Sequence, residues 1–305
     1  MFQAVAANRA KTTFIVVIIF LFFAAIIYFI SFHLLALGHV AAIFAIAVSF
    51  IASFGVYWNS DKIVLAIHKA RPATPEQDAK LNNILEGLCI AAGVPKPRLY
   101  VMEDPALNAF ATGRNHKKAV ICVTTGLIKK LDYYQLEAVV AHELAHIKNY
   151  DILLQTVAGI MIGSAIIAAR AASRMMLMRP SGGSRSSGGR GGGGGAGALV
   201  VLAIGIIGMI IAPIVGQLLK MLLSRNREFL ADAKGAEFTR NPEAMASALE
   251  VIGGSKIPLQ KTSNATEGMY IVTPCAELRS GKEKSSLFST HPPISKRVEA
   301  LRNLR

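Results

Sequence analysis

The chain has 305 residues, of which 52% are hydrophobic and only 17% are charged, and its formal net charge is +14. In soluble domains about a quarter of the residues are charged, so this composition argues against an ordinary soluble protein and favours a membrane protein. In a membrane protein, excess lysine and arginine typically lies against anionic lipid on the cytoplasmic side, and we therefore expect no nucleic acid partner.

A long stretch near the start of the chain, residues 12–60, contains no Asp, Glu, Lys or Arg. One membrane-spanning helix needs about 20 residues, so this stretch is long enough for two helices joined by a tight turn. Arg9 and Lys11 precede the stretch and Lys62 follows it, which places both ends in the cytoplasm by the positive-inside rule. We predict an N-terminal transmembrane hairpin over residues 1–60.

Residues 61–151 have the mixed composition of a soluble α+β domain. An amphipathic helix is predicted over residues 76–92, where Gly93 would end it. Another helix is predicted over residues 131–149, because this stretch has good helix formers and no internal glycine or proline. Three short strands are predicted between these helices, in PRLYVMED (97–104), NAFATG (108–113) and KAVICVTTG (118–126).

A second pair of apolar segments follows, over residues 152–169 and 196–219. The glycine- and arginine-rich loop 179–197 has the composition of a solvated linker. If the pair crosses the membrane from the cytoplasm, the arginines of this region face outward, against the positive-inside rule. Two arrangements of the second hairpin, residues 152–219, therefore stay open: full insertion, and a tilted or partial insertion.

Residues 220–305 return to a soluble pattern and are predicted to complete the folded domain that residues 61–151 begin. Residues 253–286 are polar and irregular, which is typical of a mobile loop. Helices are predicted over residues 223–240, from residue 242 to about residue 251, and in the last turns of residues 290–304.

The helix predicted over residues 131–149 contains the sequence HELAH, with His142, Glu143 and His146. Residues four positions apart share a helix face, so both imidazoles can bind one metal ion, and Glu143 can reach a water on that ion. Zinc suits two imidazoles and a carboxylate with a fourth position for water, whose pKa it lowers, while a glutamate can take the proton. The pattern therefore predicts a hydrolytic zinc site.

An alternative is that the two histidines lie on the surface of an ordinary helix. The run AVVAHELAHI, residues 138–147, carries no charge other than that of Glu143, which favours a buried helix. Two buried histidines without partners would be costly, and this favours the metal site.

The third ligand must come from another part of the chain, and Glu228 in REFLAD is the best candidate. Asp232 lies four residues further along the same predicted helix, where it can accept a hydrogen bond from the far nitrogen of a ligand histidine. The alternative is a solvated helix face, because carboxylates near Arg225 and Arg227 form a common surface pattern. Taken alone, the solvated face is the better interpretation, but the presence of HELAH reverses that preference.

Four motifs, in this order, resemble those of the HtpX-type membrane zinc metalloproteases, relatives of the CAAX prenyl endopeptidases: NAFATG, HELAH, SRNREFLADAKGA and STHPPISKRVEAL. With the predicted N-terminal hairpin, the resemblance covers nearly the whole chain, and the long basic glycine-rich loop departs from it. It implies a zincin-like (gluzincin) catalytic domain, mainly helical with a small sheet, that is split by a membrane hairpin. One zinc ion per subunit would be bound by His142, His146 and Glu228, with Glu143 as the general base.

The same resemblance implies roles for residues outside the ligand set. Asp232 would hold a ligand histidine, His291 would steady the oxyanion that forms at the substrate carbonyl, and Arg297 would brace the site. For His291, the alternative is a cap on the turn before Pro292 and Pro293. A peptide substrate would add as an extra strand along Asn108, Ala109, Phe110 and Ala111.

The resemblance further implies a membrane-bound endopeptidase of protein quality control and stress response, whose substrates are misfolded or damaged membrane proteins and unfolded polypeptides. Its expected location is the bacterial inner (plasma) membrane, with several spans in the lipid bilayer and the catalytic domain in the cytoplasm. An intramembrane metalloprotease is a weaker alternative, because HELAH precedes Lys148 and Asp151 and the segment 196–219 has no carboxylate. A non-catalytic metal-binding scaffold is another, although structural zinc usually has four protein ligands and no neighbouring base.

Overall fold

The structure is a computed structural model that describes residues 40–76, 78–157, 225–260, 266–272 and 291–304, with a few isolated positions between residues 10 and 28. Most of the first predicted hairpin before residue 40 lies outside the described residues, as does most of the second hairpin with its glycine- and arginine-rich loop. Within the described ranges, no helix is both long enough and apolar enough to cross a membrane.

The first described helix, α1, runs from Val40 to His68. It continues for about two turns beyond residue 60, where the charge-free stretch ends. The helix is kinked at Asn59, whose backbone leaves the helical conformation and whose side-chain amide donates to the carbonyl of Gly55 at 3.0 Å. Large apolar side chains are exposed along α1: Val40, Ile43, Phe44, Ile46, Phe50, Ile51, Phe54 and Trp58.

A four-stranded mixed sheet follows in the chain, and β3 lies at one of its edges. Strands β2 and β4 are parallel, whereas β1 and β3 are antiparallel to their neighbours. The three predicted strands are confirmed, and the two-residue strand β1 is too short to give a sequence pattern. In the sheet order β1-β2-β4-β3, the strands are β1 (Arg71–Pro72), β2 (Arg98–Met102), β4 (Val120–Thr124) and β3 (Ala109–Thr112).

Both helices predicted around these strands are confirmed, with shifted ends. The first, α2 (Ala79–Ala92), ends at Gly93, whose φ of 64° is the left-handed conformation that glycine adopts without strain. A short helix, α3 (Thr125–Lys130), follows β4 directly. The second, α4 (Tyr133–Lys148), begins after Asp132, because that side chain accepts the backbone N–H of Gln135 in a reciprocal capping box.

Three further helices lie in the described C-terminal part of the chain and confirm the helices predicted there. The side chain of Asn241 caps the second of them by accepting the N–H of Ala244 at 3.0 Å, and Pro242 occupies the first helical position, where its missing N–H is not needed. The helices are α5 (Arg225–Thr239), α6 (Pro242–Gly253) and α7 (Ile294–Arg302).

The helix that carries HELAH lies at the centre of the fold. Helix α4 packs against α2, α5, α6 and β3, and its residues from Ala138 to Ile147 are all buried. Helix α5 approaches α4 closely, because a Cβ atom added to Gly235 would lie only 3.1 Å from the backbone nitrogen of His142. A glycine at this position therefore lets the two helices come together at the start of HELAH.

The prediction of an irregular loop over residues 253–286 is wrong for residues 266–272. A 3₁₀ turn at Glu267–Met269 leads into Tyr270, which forms an antiparallel bridge with Phe110 of β3. Tyr270 and Ile271 are each only 1% exposed. A few apolar side chains in a polar stretch thus pack beside the edge of the sheet, and no local periodicity indicates this long-range contact.

Candidate metal centre

The middle of α4 and the first turn of α5 bring three metal-binding side chains together. The ligand atoms of His142, His146 and Glu228 all lie within 4.8 Å of one another. Nε2 of His142 is 3.2 Å from Nε2 of His146, and the carboxylate oxygens of Glu228 lie 3.8 and 3.7 Å from these two nitrogens. All three side chains are buried, so the three residues expected to bind metal converge on one buried point.

The second nitrogen of each imidazole is held by a carboxylate. Nδ1 of His142 lies 2.9 Å from Oδ1 of Asp232, which is the contact expected of Asp232. Nδ1 of His146 lies 3.3 Å from Oδ2 of Asp151. Each contact orients its ring so that Nε2 faces the shared centre. Two oriented imidazoles with one carboxylate are a donor set that fits a zinc ion.

Asp151 is a site residue that the sequence did not predict, because it stands outside any motif, directly before an apolar segment. It lies beyond the end of α4, directly after a turn in which Tyr150 has a φ of 60°. Asp151 is only 1% exposed. A single carboxylate next to a long apolar segment was the available signal, since a buried carboxylate needs a partner.

Arg297 of α7 is fully buried and connects the centre to the segment beside β3. Its Nε and Nη2 atoms donate to the two carboxylate oxygens of Asp232, both at 2.7 Å. Its Nη1 atom donates to the carbonyl of Ile271 at 2.8 Å and lies 3.9 Å from Oε2 of Glu228. Burial alone would lower the pKa of Arg297, but the charges of Asp232 and Glu228 raise it, so the guanidinium stays charged.

His291 also lies in the centre, where its Nδ1 atom is 3.0 Å from Oε2 of Glu228. The side chain is buried, so His291 lies within the cluster. Burial by itself would raise the pKa of Glu228, but the positive charges of His291, His146 and Arg297 lower it well below its ordinary value. The Glu228 carboxylate is therefore ionised and available as a ligand.

Glu143 lies between the metal-binding cluster and the edge strand β3. Its carboxyl group is buried, and the nearby backbone of Ala111 acts to lower its pKa. Burial and the charge of Glu228 raise the pKa of Glu143 to about 7, although His146 acts in the opposite direction. A carboxyl group with this pKa can both accept and release a proton near neutral pH, as a general base in hydrolysis must do.

The two imidazoles of HELAH differ in basicity. Burial lowers the pKa of His142 and outweighs the opposing effect of Asp232. Burial acts in the same direction on His146, but there Asp151 and Glu228 outweigh it and raise the pKa to about 9. Because a metal ion binds the deprotonated imidazole, binding at neutral pH must displace a proton from His146.

The strand expected to bind substrate has part of its outer edge occupied by the chain itself. The backbone N–H of Ile271 donates to the carbonyl of Ala109 at 3.1 Å. The side-chain amide of Asn108 donates to the carbonyl of Val272 at 2.9 Å. Ala111 lies on the other half of this edge, next to the glutamate of HELAH. Of the four residues expected to bind substrate, Asn108 and Ala109 therefore lie where the edge is occupied, and Ala111 lies on the side of the metal centre.

Comparisons with known proteins relate almost the whole chain to peptidases. Residues 75–305 match the family described as peptidase family M48. The chain is 40% identical over 304 residues to the Protease HtpX homolog of Dictyoglomus thermophilum, covering 99% of this chain and 94% of that protein. It is 39% identical over 307 residues to the Protease HtpX homolog of Thermoanaerobacter pseudethanolicus, covering 100% and 98%. The crystal structure of S. mikatae Ste24p has a similar fold, with a TM-score of 0.50 at 16% identity over 99% of this chain and 67% of that chain.

Proposed function

The chain belongs to peptidase family M48 and is a metalloprotease, and we propose that the buried centre on α4 and α5 is its zinc-dependent active site. The observation that carries this proposal is the convergence of His142, His146 and Glu228, with Glu143 beside them. A structural zinc site ordinarily has a fourth protein ligand and no neighbouring base. We assign one zinc ion to each subunit.

The residues around the centre have distinct roles in peptide hydrolysis. When bound, a zinc ion supplies a Lewis acid for the substrate carbonyl and a water of lowered pKa. Glu143 takes a proton from the attacking water and passes it to the leaving amide nitrogen. His291 donates a hydrogen bond to the carbonyl oxygen as negative charge develops there. Asp232 and Arg297 contact no substrate and instead fix the orientation of His142.

A peptide substrate is proposed to lie as an extra strand along the outer edge of β3. Main-chain hydrogen bonds to an edge strand bind a polypeptide with little regard to its side chains. The backbone of Ala111 lies close enough to Glu143 to lower the pKa of its carboxyl group, and we place the scissile bond near this residue. This mode of binding suits a protease that acts on unfolded polypeptides of varied sequence.

We further propose that the enzyme is a multi-pass protein of the bacterial inner membrane whose catalytic domain lies in the cytoplasm. The charge-free stretch 12–60 with its basic flanks supports this location. The row of exposed apolar side chains on α1 also supports it, because these side chains would be in contact with lipid. Misfolded or damaged membrane proteins are the substrates that such a location would bring to the active site, in a quality-control role.

The test uses the full-length protein, purified in detergent, with metal content measured by mass spectrometry and cleavage measured on casein. We expect one zinc per chain and loss of cleavage in a chelator. Glu143→Gln should keep the zinc and cleave about 10²–10⁴-fold more slowly. The matched control is Glu86→Gln, which changes an exposed glutamate that pairs with Lys96. Wild-type cleavage by Glu143→Gln would overturn the assignment.

Cysteine labelling determines how far the second hairpin is inserted. A cysteine introduced at Ser187, in the glycine- and arginine-rich loop, reacts with an impermeant maleimide in intact cells if the hairpin crosses the membrane fully. It reacts only after lysis if the hairpin is tilted or partly inserted from the cytoplasmic side.

A further inference from the structure

Tyr150 has a backbone conformation that tyrosine rarely adopts. Its φ of 60° lies in the left-handed region, where a side chain crowds the backbone and where glycine is the usual residue. Helices commonly end with a left-handed residue directly after the C-cap, and Tyr150 directly follows Asn149, the C-cap of α4. A tyrosine keeps this conformation only when contacts in the folded protein hold it there.

His116 supplies such a contact to the side chain of Tyr150. The tyrosine hydroxyl lies 2.8 Å from Nε2 of His116, which is hydrogen-bonding distance. The two rings also pack edge to face, with their centroids 4.5 Å apart. Both the tip and the ring of Tyr150 are therefore held by a residue that lies 34 positions earlier in the chain.

His116 is itself presented from a tight loop between β3 and β4, two strands that pair with each other. It begins a 3₁₀ turn, in which the side chain of Asn115 accepts the backbone N–H of Lys118 at 3.0 Å. The loop also passes close to itself, because a Cβ atom added to Gly113, whose φ is 128°, would lie 2.5 Å from the carbonyl oxygen of Lys118. A loop closed in this way limits the positions that the imidazole of His116 can take.

The turn at Tyr150 determines where the carboxylate of Asp151 lies. Asp151 is the next residue, it is buried, and its Oδ2 atom is 3.3 Å from Nδ1 of His146. A change of φ at Tyr150 from the left-handed to the right-handed region would rotate the chain that follows and carry this carboxylate away from the imidazole. The contact between Asp151 and His146 thus depends on a conformation that tyrosine does not keep unaided.

We propose that His116 is a positioning residue for the metal ligand His146, acting through the turn at Tyr150 and the carboxylate of Asp151. This inference rests on the proposed function of the centre. His116 touches neither the ion nor the substrate in this role. It keeps Asp151 in place before an ion arrives, so the imidazole of His146 is already oriented when binding begins.

The zinc affinity of the metal-free full-length protein, purified in detergent, tests this role by competition with a fluorescent chelator. Residues other than glycine are found at positive φ in only a few per cent of cases, and apparent affinity falls with the fraction of competent protein. We expect a loss of about tenfold in His116→Ala. Tyr150→Phe, which removes only the hydroxyl, should lose about threefold or more. Lys117→Ala, an exposed neighbour in the same turn, is the control and should bind zinc as the wild type does.

Glycine at position 150 separates a positioning role from a purely structural one. Glycine enters the left-handed region about as readily as the right-handed one, so the turn no longer needs an anchor. We expect the double variant His116→Ala/Tyr150→Gly to bind zinc within about threefold of the wild type. A contact that only stabilises the fold predicts the opposite result, because Tyr150→Gly also removes the remaining packing of the ring.

A double-mutant cycle tests whether His116 acts through Asp151. In an Asp151→Ala background the orienting carboxylate is already absent, so His116→Ala should change zinc affinity by less than about twofold. A further tenfold loss in this background would show that His116 affects the centre by another route and would overturn the proposal. Thermal unfolding of the metal-free proteins reports whether each variant is folded.

Outcomes for His116 and for the active site are separable. Wild-type zinc affinity in both His116→Ala and Tyr150→Phe would overturn the positioning role while leaving the zinc site intact. Failure of glycine at position 150 to restore affinity would also overturn it. Absence of zinc binding by the wild-type protein would overturn the proposed active site itself. Tyr150→Phe decides the role of the anchor even if His116→Ala fails to fold.

Discussion

Nδ1 of His146 lies 3.3 Å from Oδ2 of Asp151, so a carboxylate beyond the end of α4 orients a histidine within that helix. The contact has two effects on the centre. It directs Nε2 of His146 towards Glu228, and it makes the imidazole more basic despite the opposing effect of burial. Asp151 is therefore expected to matter for metal binding although it is not itself a ligand.

Replacement of Asp151 should weaken metal binding. We expect Asp151→Ala to reduce zinc affinity about 10–100-fold, because the ring of His146 loses the partner that orients it. Competition with a fluorescent zinc chelator measures the change. Glu86→Gln, an exposed carboxylate on α2, is the control and should bind zinc as the wild type does. An unchanged affinity in Asp151→Ala would show that the contact has no part in orienting the ligand.

Zinc affinity of the metal-free protein should rise with pH between pH 6 and about pH 9. The pKa of His146 is raised to about 9, so below that pH the bound ion must displace a proton, and each lower pH unit makes the displacement harder. Calorimetry at pH 7 in buffers of different ionisation enthalpy counts the released protons. Asp151→Asn lowers the basicity of His146, and we expect its affinity to depend less steeply on pH. If the zinc affinity of the wild-type protein does not change between pH 6 and about pH 9, the raised pKa of His146 is contradicted.

Loss of Arg297 should destabilise the fold strongly. Arg297→Met leaves the buried carboxylate of Asp232 without its bidentate partner, and breaking a buried ion pair in this way costs about 3–5 kcal/mol. Thermal unfolding of the full-length protein in detergent measures the loss. The control is Arg302→Met on the same helix, where an exposed arginine pairs with Glu243 and Glu250, and its Tm should change far less. Equal shifts in the two variants would contradict the role given to Arg297.

Gly235→Ala should destabilise the contact between α4 and α5. The added Cβ atom would lie 3.1 Å from the nitrogen of His142 and 3.3 Å from the carbonyl carbon of Ala141. Backbone atoms have to move apart, and we expect overpacking to cost about 1–3 kcal/mol and to weaken zinc binding by displacing α5. Gly87→Ala on α2 meets no atom within 4 Å and should stabilise the protein by about 1 kcal/mol through helix propensity. Urea unfolding and chelator competition measure both variants.

The features that depend on local sequence could be predicted. Helix α4 and the shared face of His142 and His146 follow from helix formers and from spacing within one helix, and the short strands follow from runs of apolar residues between turn residues. Glu228 could be proposed because it stands near Asp232 at helical spacing and because HELAH needed a third ligand. The first two inferences use residues that are close in the sequence, whereas Glu228 was chosen because a motif far away in the chain needed a third ligand.

The features that depend on distant contacts could not be predicted. Residues 266–272 lie in a polar stretch, and their position comes from the packing of Tyr270 against Phe110 and His68, which are far away in the chain. Asp151 gave only the weak signal of a carboxylate beside an apolar segment, because the turn at Tyr150 that returns it to His146 has no distinctive sequence pattern.

The metal-binding residues come from two parts of the chain, since Glu228 follows His146 only after the long stretch that contains the second apolar pair. The two parts are joined by the close packing of α5 on α4 and would be cross-linked by an ion that both helices bind. We therefore expect that the two parts stay together even when the backbone between residues 158 and 224 is cut. We expect a protein nicked in its glycine-rich loop to elute as one zinc-containing particle and to separate into two fragments only after chelation and denaturation.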